Sequence, residues 1–204
     1  MKETNSWPQF TQDDYEISNK ESLYTGFCKM NALTLRHQTY QHGWSETIQR
    51  ELLERPPAVG VLLYDPKRQE VVFVEQFRVG ALTDPRSPWL LEIVAGMVDP
   101  GEGPEKTAIR ETFEETGLKI SKVQLISNYW VSPGASNEKV YLYYGEVDAT
   151  QAAMNTGAKE EHEDILVKIL PLAEVFQGVE NGLIRNAMTL VAIMWLQLNY
   201  RQLT

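Results

Sequence analysis

The chain has 204 residues, 43% of them hydrophobic and 23% charged, enough for one domain of ordinary size or a compact domain with a smaller appendage. A net charge of -9 argues against a nucleic-acid backbone as the main partner, which would need a clustered cationic surface. No run approaches the ~18 apolar residues of a membrane span, and the opening MKETNSWPQF lacks the basic start and apolar core of a secretion signal. One cysteine, Cys28, excludes an intrachain disulfide, fits a reducing compartment such as the cytoplasm, and is expected as a small buried residue.

From Tyr15 to about Arg55 the chain reads as extended segments, with Phe27 to Tyr40 and Trp44 to Leu53 alternating about a turn at His42 and Gly43. A small antiparallel sheet of this kind buries little by itself, so it should pack on the main domain or on a second subunit. Pro56 and Pro57 mark a seam, giving an N-terminal β unit over 1–55 and a main domain over 56–204. Within the latter, Ala58 to Tyr64 and Val71 to Arg78 are apolar runs separated by Asp65, Pro66 and Lys67, a hairpin pattern. Leu90 to Ala95 reads as a short strand.

Then comes LEIVAGMVDPGEGPEKTAIRETFEETGL, from Leu91 to Leu118. Gly103-Pro104 is a helix entry, because proline at the first helical position gives up an amide that has no partner there anyway. Gly117 is the exit, since glycine takes the left-handed conformation at little cost, which predicts a helix over 104–116. At 100° per residue, Ile109, Phe113 and Thr116 fall on one face, expected to be buried, while Glu111, Glu114 and Glu115 cluster opposite. Like charges at such spacing repel by a few tenths of a kcal/mol per pair, so folding alone does not select the triplet. A hard divalent cation reverses the sign, with carboxylates holding one side of it and substrate phosphates the other. Ahead of the helix, Val94, Ala95 and Gly96 lead into a glycine-bearing loop whose main-chain carbonyls can approach an ion closely.

Beyond the helix, Val123 to Val131, Lys139 to Val147 and Ile165 to Leu170 read as strands. Pro171 opens a short helix to about Gln177, and Leu183 to about Leu198 is a longer apolar one. A mixed sheet between helices is the simplest architecture, placing the chain in the α+β class.

Gly96, Glu102, Arg110, Glu111, Glu114, Glu115, Gly117 and Leu118 carry the spacing G-x5-E-x7-R-E-U-x-E-E-x-G-U, and in this the chain resembles the Nudix family. Seven fixed identities at average usage coincide by chance with a probability on the order of 10^-9 to 10^-8 per start position, so accident is no explanation. Thr112 departs from the usual aliphatic residue, but its methyl group can still pack. Softer motifs extend the likeness to ADP-ribose pyrophosphatases over most of 15–200: ERPPAVGVLLYDP, VEQFRVGA, SPWLLEIVAGMVDPGE, SPGASNEKVYLYYGEVD and EEHEDILV.

The resemblance implies a Nudix α/β/α sandwich and an Mg2+-dependent hydrolase (Mn2+ substituting) that splits ADP-ribose into AMP and ribose 5-phosphate as a homodimer with exchanged N-terminal units. It implies metal held by Glu111, Glu115 and the carbonyl of Ala95, with Glu114 as an additional or outer ligand and Arg110 orienting the neighbouring carboxylates. Metal-bound carboxylates accept protons poorly, so the general base is sought on the loop Lys159 to Asp164, with Glu161 first, Glu163 second and His162 third. Arg55, Arg78 and Glu138 match substrate-recognition positions, and a stacking aromatic maps onto Phe27 or a neighbour. Two other readings stand beside this one: a pyrophosphatase of another nucleotide sugar, such as GDP-mannose, or of a dinucleotide, and a non-catalytic nucleotide-binding regulator.

Overall fold

The computed structural model of the chain describes residues 9–41, 43–156 and 164–203. It forms two compact units, one running to Arg55 and taking in Trp130–Glu138, the other made of Pro56–Tyr129 and the chain from Lys139 onward. The sequence reading left 130–138 with the main domain. In the structure this segment joins the first unit, where Leu53 N donates to Ala135 O at 2.8 Å and Asn137 N donates to Leu53 O at 3.3 Å.

The first unit is a sheet of β1 (Tyr15–Thr25), β2 (Lys29–Thr39), β3 (Gly43–Trp44) and β4 (Ile48–Glu54), with β2 antiparallel to the other three. Its described residues include just two buried ones, Asn31 and Ser136, and β1 is exposed along all 11 residues. Backbone ladders and cross-strand pairs hold it, among them Arg36 Nη2 to Glu16 Oε2 at 2.7 Å, with the Arg36 guanidinium 4.6 Å from the Trp44 ring centre. Cys28 is partly exposed here and not buried as expected, because the unit has no apolar interior to receive it.

The second unit is built on alternation. It contains β5 (Ala58–Asp65), β6 (Glu70–Phe77), β7 (Trp89–Glu92), β8 (Val94–Met97), α1 (Pro104–Thr116), β9 (Gln124–Trp130), β10 (Lys139–Glu146), β11 (Asn155–Thr156), β12 (Ile165–Pro171), α2 (Leu172–Glu180) and α3 (Ala187–Asn199). Every residue of β5 is buried, so both of its faces are covered. Val59, Val61 and Leu63 cluster with Ala108 and Leu118 at the α1 side, while Leu62 and Tyr64 cluster with Leu172, Val175, Ala192, Ile193 and Leu196 of α2 and α3. The sheet runs β11-β12-β6-β5-β10-β9, with β5 and β10 parallel and β5, β6, β11 and β12 paired antiparallel. This is the expected mixed sheet between helices.

The hairpin joining β5 to β6 is fastened by buried Asp65, whose Oδ1 accepts from Lys67 N at 3.0 Å and Arg68 N at 3.1 Å, and whose Oδ2 accepts from Ala149 N at 3.0 Å. Past the hairpin the two strands part. Leu63–Asp65 pair with β6, whereas Ala58–Val61 pair with β8, and Val74–Phe77 of β6 pair with β7. The single strand expected over 90–95 is therefore two strands that break at Ile93 to fill the gap. The break leaves backbone groups outside the ladder, and α3 satisfies them: Ile93 N donates to Thr189 Oγ1 at 3.0 Å and Asn186 Nδ2 donates to Leu91 O at 2.9 Å. Asn186 also caps α3 by accepting from Thr189 N at 2.9 Å, which is why that helix begins at Ala187 and not at Leu183.

Candidate active site

The helix α1 spans Pro104–Thr116 with Gly103 as N-cap and Gly117 as C-cap at φ 72°, the bounds that proline and glycine predicted. Of the face expected to be buried, Thr116 is inside, but the face as a whole is turned away from Ile109 and Phe113. Thr107, Ala108, Thr112, Glu115 and Thr116 face inward, while Phe113 is exposed and Ile109 is only partly buried. Small residues let the helix lie close to the sheet, and their hydroxyls are satisfied locally: Thr112 Oγ1 donates to Ala108 O at 2.7 Å and Thr116 Oγ1 to Thr112 O at 2.5 Å. The close approach matters because it turns a carboxylate toward the sheet.

Glu115 is buried at 2% exposure, and its Oε2 accepts from the backbone amide of Ala95 on β8 at 3.1 Å. One residue further along β8, a Cβ placed on Gly96 would lie 2.0 Å from Glu111 Oε1, so the glycine makes room for that carboxylate against the main chain. Glu111 and Glu115, four apart on α1, are thus set against adjacent residues of β8. Among the described residues no three Asp, Glu, His or Cys side chains are grouped as a metal cage. Two carboxylates against the main chain of β8 are hard oxygen donors of the kind that suits Mg2+, an ion that keeps several waters and takes substrate phosphate oxygens as further ligands.

Arg110 is the hub of the cluster. Its Nε and Nη2 donate to Glu102 Oε1 at 3.3 Å and Oε2 at 3.1 Å, and its Nη1 lies 2.7 Å from Glu114 Oε2 and 2.9 Å from Glu111 Oε1. These partners, Glu102 foremost, hold the guanidinium charged well above its ordinary range, and Arg110 in turn holds the Glu102 carboxyl below the usual carboxylate value. Glu114 leans outward onto Arg110 and is about half-exposed. The sequence reading missed Thr107, whose buried hydroxyl donates to Glu102 Oε2 at 2.8 Å. A threonine five residues after a carboxylate, across a helix N-terminus, is the signal that would have found it.

The remaining candidates fall elsewhere. In the first unit, Arg55 Nε lies 2.9 Å from Glu138 Oε1, and Phe27 is 84% exposed on the turn between β1 and β2. In the second unit, Arg78 Nε donates at 2.9 Å to Glu92 Oε2, a buried carboxylate on β7. Glu161, Glu163 and His162 lie outside the described residues, as does His42.

The NUDIX domain model matches residues 54–188. The chain belongs to the Nudix family. It is 40% identical over 205 residues to an ADP-ribose pyrophosphatase of Haemophilus influenzae, covering 99% of this chain and 94% of that protein. A GDP-mannose pyrophosphatase of Cronobacter sakazakii is 32% identical over 185 residues, 88% of this chain and 96% of that protein. Among solved structures, an ADP compounds hydrolase superposes with a TM-score of 0.70 at 17% identity, covering 93% of this chain and 96% of that one, a likeness of fold.

Proposed function

We propose that this Nudix enzyme hydrolyses the pyrophosphate bond of ADP-ribose, giving AMP and ribose 5-phosphate, with Mg2+ as its cation. The observation that carries the reading is the placement of Glu111 and Glu115 against Ala95 and Gly96 on a helix held by the Arg110 fork. Near-full-length likeness to an ADP-ribose pyrophosphatase supports the substrate. Glu111, Glu115 and the main-chain oxygen of Ala95 would hold the cation, with Glu114 as an outer ligand. When bound, Mg2+ supplies neutralisation of the diphosphate charge. Arg110 keeps Glu111 and Glu114 in register, Glu102 keeps Arg110, and Glu161 receives the proton of the attacking water, with Glu163 as the second candidate for that role. Arg78, Arg55 and Glu138 would bind the nucleotide sugar, and Phe27 would stack on its base.

The exposed apolar side chains Tyr15, Ile17, Leu23, Tyr24 and Phe27 on a sheet without a core of its own support a working homodimer built through the first unit. A cytoplasmic enzyme fits the single cysteine, and among the described residues no helix is long and apolar enough to cross a membrane. The GDP-mannose reading keeps its place because a relative of that activity is 32% identical. The regulator reading is disfavoured by the complete carboxylate set. The deciding experiment measures AMP release from ADP-ribose beside GMP release from GDP-mannose, with and without Mg2+. Mg2+-dependent AMP is expected. GMP alone would move the assignment to the second substrate, and no product from either would sink both.

A further inference from the structure

Beyond the carboxylate cluster, the second unit holds a cleft of about 590 Å3 lined by Arg78, Arg86, Arg185, Thr83, Asp84 and Leu90, with Gly80, Ala81 and Pro85 completing its wall. Three guanidinium groups line it beside one carboxylate, Asp84, which two of them touch, in a chain whose overall charge is -9. Each arginine is oriented by part of its donor set. Arg185 donates Nη1 to Asp84 Oδ2 at 2.5 Å and Nη2 to Ser87 O at 3.1 Å. Arg86 donates Nη1 to Gly182 O at 2.6 Å and lies 3.6 Å from Asp84 through Nε. Among the described residues, Arg78 commits only its Nε, to Glu92.

That commitment shapes the cleft. Glu92 is buried on β7, and burial pushes its carboxyl above the usual range while Arg78 pulls it back. With Nε held from behind, both terminal nitrogens of Arg78 stay available on a side chain that lines the cleft, as does Nη2 of Arg86. Asp84 can neutralise one of the two guanidinium groups it touches, so the lining keeps a cationic excess. A planar fork with its outer nitrogens unspent matches the oxygens of a phosphate group, and guanidinium is the side chain best suited to hold one by two parallel hydrogen bonds.

We propose that this cleft binds a phosphate monoester dianion, with Arg78 and Arg86 as its hydrogen-bond donors, Arg185 fixing Asp84, and Glu92 acting as the positioning residue that aims Arg78. The inference rests on the Nudix assignment only for the choice of probe. The dianion has two sources, the phosphosugar half that the proposed reaction releases or a separate phosphorylated metabolite, and competition against substrate distinguishes them.

The test is calorimetric titration of the full chain, without divalent cation, with ribose 5-phosphate and with ribose as the uncharged control. Heat from the phosphate ester and none from ribose is expected. Arg86→Gln should weaken the affinity about 10-fold, the loss of one charge-assisted hydrogen bond, with unchanged melting temperature, whereas Arg78→Gln, which removes two donors and leaves buried Glu92 without its partner, should weaken it further and lower the melting temperature. Because no turnover is read, failure of the ADP-ribose assignment leaves this result untouched. Competitive inhibition of hydrolysis by ribose 5-phosphate would identify the cleft with the product's phosphate, and non-competitive inhibition would identify a separate ligand and take Arg78 out of the nucleotide-sugar site. No binding by the wild-type chain, or equal binding by both folded variants, would overturn the proposal.

Discussion

The two units of this chain use similar strands to opposite ends. In the second, β5 is buried from Ala58 to Asp65 and divides its side chains between two apolar clusters, so that helices close both faces of the sheet. In the first, β1 is longer yet exposed at every one of its 11 residues, and its tyrosines, isoleucine and leucine have no interior to enter. Backbone pairing can make a sheet, but only burial makes one rigid enough to hold a carboxylate to a fraction of an ångström. The chemistry proposed above therefore falls to the cored unit, where α1 lies against β8, and the proposed association to the apolar surface of the other unit.

Substitutions can break or sharpen this contrast. The largest effect is expected from Glu115→Gln, which keeps the shape of a buried side chain while removing its charge: AMP release from ADP-ribose should fall roughly 10^3-fold or more, about 4 kcal/mol, with an unchanged melting curve. Turnover near the wild-type rate would remove Glu115 from the metal site. In the core, Leu62→Ala should cost about 2 to 5 kcal/mol in denaturant unfolding, because its side chain is fully enclosed. Gly96→Ala should cost about 10^2-fold in rate, since the new methyl group occupies the place of the Glu111 carboxylate, whereas an open turn there would tolerate it. Smallest of all, Ile17→Ala on the exposed β1 should change unfolding by less than about 0.5 kcal/mol when measured on dilute, monomeric protein. A loss comparable to that of Leu62→Ala would show that the first unit has a core after all.

Much of the second unit was legible before any coordinates. Pro104 and Gly117 bound α1 because each acts through its own backbone chemistry, independent of what the helix packs against. The spacing of Gly96, Arg110, Glu111 and Glu115 likewise survives folding intact, since strand, turn and helix bring them together locally. What failed was the inward face of α1. Counting apolar residues pointed to Ile109 and Phe113, but a helix that must deliver Glu115 to the Ala95 amide rotates its threonines inward and leaves Phe113 in solvent. Tertiary demand overrode hydrophobic period.

The break at Ile93 was hidden for a related reason. Its cause is Thr189, 96 residues away, which takes the amide that a continuous strand would have kept in the ladder. The passage of Trp130–Glu138 into the first unit was also invisible, because its hydrogen bonds to Leu53 join segments with nothing in common locally. Arg110 was expected to orient its neighbours, and in the structure it pairs with Glu102, Glu111 and Glu114. Thr107 beneath Glu102 escaped notice because its signal lies in its spacing from Glu102 across the helix N-terminus and not in its own identity.

The central claim is that Glu111 and Glu115 together hold a hard divalent cation, and anomalous diffraction from crystals soaked in Mn2+ addresses it without reference to any substrate. The account predicts a peak within about 2.0 to 2.4 Å of an oxygen from each of the two carboxylates. Well-diffracting soaked crystals with no peak beside either side chain would contradict it.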